Sequence, residues 1–141
     1  MAKYSSIIVE KEDFVTTIKL NRPEVLNSLD VPIRKEILEA LDIASGDDTR
    51  VIILTGSGKA FCSGGDIKNW VSSTDEDNYN RLDLLNTIIL KMISMDIVII
   101  SAVNGYAFGA GCNLALAADI VLASEKAIFC ESFMDLGLIV D

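Results

Sequence analysis

The sequence contains no histidine. That absence removes Ser-His-Asp and Cys-His nucleophile systems and every zinc site built on imidazole. Cysteine is scarce. Cys62, Cys112 and Cys130 are odd in number, widely spaced and form no CxxC pair. They read as reduced thiols of a cytoplasmic protein, not as a disulfide framework, and no metal site is expected. Positive charge is also short: 12 Lys and Arg face 21 Asp and Glu, and a net charge of −9 argues against nucleic-acid binding. A phosphorylated small ligand stays open, because it needs only a few well-placed cations. The N-terminal stretch MAKYSSIIVEKEDF carries charges where a signal peptide needs an apolar core. One uncharged run, Ser101 to Ala118, is about long enough to span a bilayer. Its glycines and alanines, with Asn104 and Asn113 inside it, read instead as a buried strand, loop and helix, so no membrane partner is expected.

What is present is apolar and periodic. Half of the 141 residues are hydrophobic, enough for one globular domain with a real core. Ile7–Glu10 and Phe14–Leu20 are β-rich runs around the charged turn Lys11-Glu12-Asp13, which predicts a hairpin. Asn21-Arg22-Pro23 breaks the second run. A helix is expected from the N-cap Asp30, with Pro32 in its first turn, Ile33, Ile37, Leu38 and Leu41 at helical spacing, and an end at Ser45–Asp48. Val51–Thr55 is a short, nearly all-apolar strand of the kind covered on both faces. A second amphipathic helix is expected over Asp75–Ser94, with Leu82, Leu85, Ile89 and Met92 on one stripe. A strand at Ile97–Val103, a loop to Gly109, a helix to about Ala118, and strands near Ile120–Ala123 and Ala127–Phe129 complete the order. Such alternation indicates an α/β domain with parallel pairing. No linker and no sequence repeat stands out.

Two glycine-rich junctions follow strands. The first, Thr55–Lys68, is not a phosphate loop, because Ile53 and Ala60 stand where that motif needs glycine and Ser or Thr. It is not a nucleophile elbow either, because Phe61 precedes Ser63 where glycine is required. Gly64-Gly65 does permit positive φ and close approach of a ligand to the main chain. The second, Asn104–Asn113, opens a helix with small residues, leaving N–H groups free at its start. Its glycines, at 105, 109 and 111, do not match GxGxxG. Each junction alone reads more readily as a tight loop or as close packing of a helix on a sheet. Two in one domain are more telling than either alone, since backbone donors that converge on one point make an oxyanion hole, but nothing in the spacing shows convergence.

The stretches 18–29 (IKLNRPEVLNSL), 51–68 (VIILTGSGKAFCSGGDIK) and 102–120 (AVNGYAFGAGCNLALAADI) together resemble the crotonase, or enoyl-CoA hydratase/isomerase, superfamily from end to end. The resemblance implies a crotonase-like ββα spiral core with an acyl-CoA lying across it and no separate cofactor, CoA being part of the substrate. It implies oxyanion donors at Gly65 and Ala110, and a substrate-binding set of Gly65, Asp66, Ile67, Lys68, Ala110 and Phe133. Lys68, Lys59 and Arg22 become candidate phosphate neighbours. Hydratases of the family carry glutamates at two positions that are Asn113 and Phe133 here. Isomerase-type members end the following segment on a single acid, which maps to Asp141, with Val140 in place of their usual proline. Glu131 and Asp135 are fallback acids. PheCysSerGlyGlyAsp also resembles dihydroxynaphthoyl-CoA synthases, and a CoA-binding subunit without catalysis is a further reading. The resemblance further implies that residues 1–141 are an incomplete core, followed in relatives by helices that cover the acyl pocket and build a homo-trimer or hexamer. An apolar surface should then be left exposed.

Overall fold

The computed structural model describes residues 4–67 and 73–140. Strands β1 (Ile7–Glu12) and β2 (Val15–Leu20) form the expected antiparallel hairpin, turned at Asp13 with φ of 50°. A 3-10 turn at Pro23–Val25 leads to helix α1 (Val31–Gly46), whose N-cap Asp30 accepts a hydrogen bond from Ile33 N at 3.1 Å. From there the chain repeats one path. β3 (Val51–Gly56) turns into the short β4 (Ala60–Cys62) and then α2 (Asp75–Ser94). β5 (Val98–Val103) turns into β6 (Tyr106–Phe108) and then α3 (Ala110–Leu116). β7 (Ile120–Ala123) turns into β8 (Ile128–Cys130) and a 3-10 turn at Met134–Leu136.

Each circuit lays one strand in each of two sheets. The larger has the order β1-β2-β3-β5-β7 and the smaller β4-β6-β8. All pairings after the hairpin are parallel, for example Ile53 with Ile100 and Phe108 with Cys130. The repeat invisible in the sequence is therefore a repeat of path. It tolerates helices of 20 and 7 residues and asks only for apolar side chains at equivalent places. The two stretches expected to be loops each hide a three-residue strand, too short to show a period.

The core lies between the inner face of the large sheet and the helices. β2, β3 and β5 contribute Ile18, Leu20, Ile52, Leu54, Ile99 and Val103, and α1 adds Ile33, Ile37 and Leu41. Each such burial contributes about 1.5–3 kcal/mol. The other face of β3 is only half-buried at Val51 and Ile53, so the expectation of equal cover on both faces is not met. On α2 the buried row is Leu85, Ile88 and Met92: Ile88 takes the place predicted for Ile89, and Leu82 is 44% exposed at the mouth of a cavity. The inward row is the one α2 presents where it packs against α1.

Two asparagines brace the corner between β3 and β4. Buried Asn27 donates to Ser57 O and Ala60 O, and Asn104 donates to Gly58 O and Ala60 O while accepting from Gly56 N. The last circuit is covered least. Ile120, Leu122, Ile128 and Phe129 are exposed, as is Leu116 at the end of α3, which leaves apolar surface with nothing packed on it among the described residues. Among the described residues no helix is long and apolar enough to cross a membrane.

Candidate active site

Residues 63–66 run beside residues 26–29 like a short extra strand. Ser63 N donates to Leu26 O at 3.0 Å, Leu29 N to Gly64 O at 2.8 Å, and Asp66 N to Leu29 O at 3.4 Å. In a parallel step, alternate residues turn their peptide groups to opposite sides. Gly64 C=O and Asp66 N–H face Leu29, so the Gly65 N–H faces away from it, on the side of the cavity that Gly65 lines.

The second junction meets the first directly. Gly109, at φ 49° and ψ −124°, turns β6 into α3, and Ala110 is the first helical residue. Gly109 O accepts from Cys112 N and Asn113 N, which leaves the N–H of Ala110 outside the helical ladder. Gly64 sits at φ +95°, and a Cβ there would lie 2.7 Å from Phe108 O and 3.5 Å from Ala110 N. Only glycine fits this contact between circuits. Among the described residues no hydrogen-bond acceptor meets the N–H of Gly65 or of Ala110.

Both residues line one cavity of about 960 Å³. Its floor is Ser63–Asp66, Gly109 and Ala110. One wall is α2 through Tyr79 and Leu82, and the other is Phe133 with Leu138, Ile139 and Val140. Phe133 is buried, its ring edge 3.8 Å from where a Gly109 Cβ would stand. Ile67, which is exposed, also lines the cavity. The lining is largely apolar and open along α2 and the 138–140 segment, where Tyr79 and Ile139 are exposed. Such a lining suits an apolar chain with a single polar group held at the floor.

Lys68 and Asp141 lie outside the described residues; their neighbours Ile67 and Val140 line the cavity. Asn113 does not line it. One turn beyond Ala110, it borders a separate shallow groove with Leu85, Ile89 and Leu116. Asp135 lines the cavity, whereas exposed Glu131 does not and instead lies beside Cys112, whose thiol is pushed up to about 12 by burial and then by that carboxylate. Burial likewise pushes the Cys62 thiol up to about 12. These are thiols kept protonated, not nucleophiles. Of the candidate phosphate neighbours, Arg22 pairs with Asp30 at 2.8 Å and donates to Ser28 O, Lys59 is exposed, and neither lines the cavity. Among the described residues no cluster of His, Cys, Asp or Glu could hold a metal ion.

Sequence reading missed Arg34, Arg81, Tyr79 and Ser132, all of which line the cavity. Arg34 had a visible signal. It shares a helical stripe with Ile37 and Leu41, where a lone cation on an apolar face is out of place.

The family model for enoyl-CoA hydratase/isomerase matches residues 10–141. The chain belongs to the enoyl-CoA hydratase/isomerase family. The mitochondrial enoyl-CoA hydratase of Pongo abelii is 40% identical over 142 residues, covering 98% of this chain and 48% of that protein. The trans-2-decenoyl-[acyl-carrier-protein] isomerase of Streptococcus mutans is 35% identical over 143 residues, covering 98% and 54%. Among solved structures, an enoyl-CoA hydratase from Polaromonas sp. JS666 superposes with a TM-score of 0.92 at 31% identity, covering 97% of this chain and 55% of that one. The chain spans about half the length of the curated relatives it matches. Its two-sheet spiral is thus the crotonase fold, seen over the circuits that carry both junctions.

Proposed function

We propose that the full-length protein isomerises an enoyl-CoA thioester. The observation that carries this reading is the pair of N–H groups, Gly65 and Ala110, that meet no acceptor among the described residues and sit on touching circuits over one apolar cavity. Two backbone donors aimed at a thioester oxygen stabilise the enolate formed when a proton leaves the adjacent carbon. One such donor is worth about 3–4 kcal/mol of transition-state stabilisation.

In a 3-enoyl-CoA, a single base removes that proton and returns it two carbons further along, so the double bond moves next to the carbonyl. Asp141 is the base in this reading. Hydration needs a second group to handle water, and the two positions where hydratases carry glutamate hold Asn113 and Phe133. Asn113 borders the other groove, and the buried Phe133 ring supplies an apolar wall. Both features favour proton transfer between carbons over addition of water. CoA enters as part of the substrate and no cofactor takes part. We place the protein in the cytoplasm, in keeping with its three free thiols, and assign the exposed apolar rows of the last circuit to further chain and to a trimeric or hexameric assembly.

In the full-length protein, Asp141→Asn should abolish double-bond migration in a 3-enoyl-CoA while leaving thioester binding intact. Undiminished turnover by that variant would remove the isomerase assignment.

A further inference from the structure

Arg34 is a buried cation with no part in the reading above, only 5% exposed on the core face of α1. An apolar residue there would complete the Ile37–Leu41 stripe at no desolvation cost, whereas a buried guanidinium costs several kcal/mol unless its donors are engaged. They are engaged, and by specific partners. Nε donates to Leu29 O at 3.1 Å, and Nη1 donates to Arg81 O on α2. Nη2 stands 3.7 Å from where a Gly65 Cβ would be, against the residue that carries the first donor.

Leu29 is the rail on which that donor is mounted. Its N–H holds Gly64 O, and its C=O holds both Asp66 N and Arg34 Nε. One side chain therefore braces the ladder that aims Gly65 N–H and ties it to the helix whose Tyr79 and Leu82 form the cavity wall. Lysine cannot replace this, because a point-charge ammonium lacks the planar fork that reaches two carbonyls at once.

We propose that Arg34 is a positioning residue for the oxyanion site, setting the aim of the Gly65 N–H and coupling it to the seating of α2 against the acyl chain. The inference rests on the thioester reading of the site. It is tested in the full-length protein with Arg34→Met and Arg34→Lys, using two readouts. The first is kcat and KM for isomerisation of a 3-enoyl-CoA. The second is the absorption of bound dimethylaminocinnamoyl-CoA, which moves to longer wavelength as its carbonyl is polarised.

A displaced donor predicts a kcat lower by about 10- to 100-fold with KM changed by less than about 3-fold. The wavelength shift should shrink in both variants, so that lysine does not rescue. Wild-type kcat and a full shift in either folded variant overturn the inference. No shift and no turnover in the wild-type protein mean that the thioester reading itself has failed, and the inference falls with it. Should neither variant fold, hydrogen exchange on the wild-type protein decides. On adding dimethylaminocinnamoyl-CoA, the amides of Leu29, Asp66 and residues 82–85 should gain protection together, and independent responses overturn the coupling.

Discussion

The two candidate donors face one cavity but are held by different means. Gly65 owes its direction to tertiary contacts: the Leu29 ladder, Arg34 from α1, and Phe108 pressing on its neighbour Gly64. Ala110 owes its direction to its own segment, because Gly109 turns the chain and α3 begins at once. The first donor depends on residues more than thirty positions away, the second on residues within one turn. Damage at a distance should therefore reach Gly65 and spare Ala110.

The sharpest break of that contrast is Gly64→Ala. The added carbon would meet Phe108 O at 2.7 Å on a residue at φ +95°, and neither backbone can yield without moving a donor. Turnover in the full-length protein should fall by about 100-fold or more, with a loss of several kcal/mol in chemical unfolding. At Gly109 the nearest atom to a new carbon is Ser132 Oγ at 3.5 Å, so Gly109→Ala should cost only the strained torsion, about 1–3 kcal/mol. Equal losses in the two variants would erase the distinction.

A smaller effect tests the support from α1. Burial alone would raise the Glu36 carboxyl, but hydrogen bonds from Ser5 Oγ and the N–H groups of Ser5, Ser6 and Ile7 outweigh it and hold it below its ordinary 4.5. A depressed carboxyl contributes stability above its unfolded value and loses it as pH falls through the folded one. Glu36→Gln should therefore cost about 1 kcal/mol at pH 7 and lose that deficit in acid, as read from urea midpoints across the range. A pH-independent deficit would show that the carboxylate charge is not what holds β1 to α1.

The smallest effect lies on the strand that feeds the second junction. Ser101 is fully buried, and its hydroxyl has no hydrogen-bond partner among the described residues. Ser101→Ala should raise stability by about 1 kcal/mol without altering turnover. A lower melting temperature would reveal a partner for that hydroxyl.

Much of the fold was written locally. Asp30 announces α1, α2 runs over the predicted residues 75–94, and the β1–β2 hairpin follows its charged turn. The three-residue strands β4 and β6 were not legible, because glycines chosen for contact between circuits dominate those stretches. The same cause hid the meeting of the junctions: Gly64 and Ala110 lie 46 positions apart, and nothing in either stretch names the other. The donors themselves came from family resemblance. Their surroundings, Arg34 above all, came from which face of α1 turns inward.

Asn104 carries a consequence for the lifetime of the molecule. It precedes Gly105, the sequence context in which asparagine side chains deamidate most readily. Its amide donates to Gly58 O and Ala60 O, so conversion to aspartate would set a carboxylate oxygen against two carbonyls with no donor between them. The corner that leads into the first junction would loosen without any change in the cavity's own residues. The same hydrogen bonds hold the side chain away from attack by the Gly105 nitrogen, so the brace must open before the change can occur, and conditions that loosen this corner should speed the ageing of the protein.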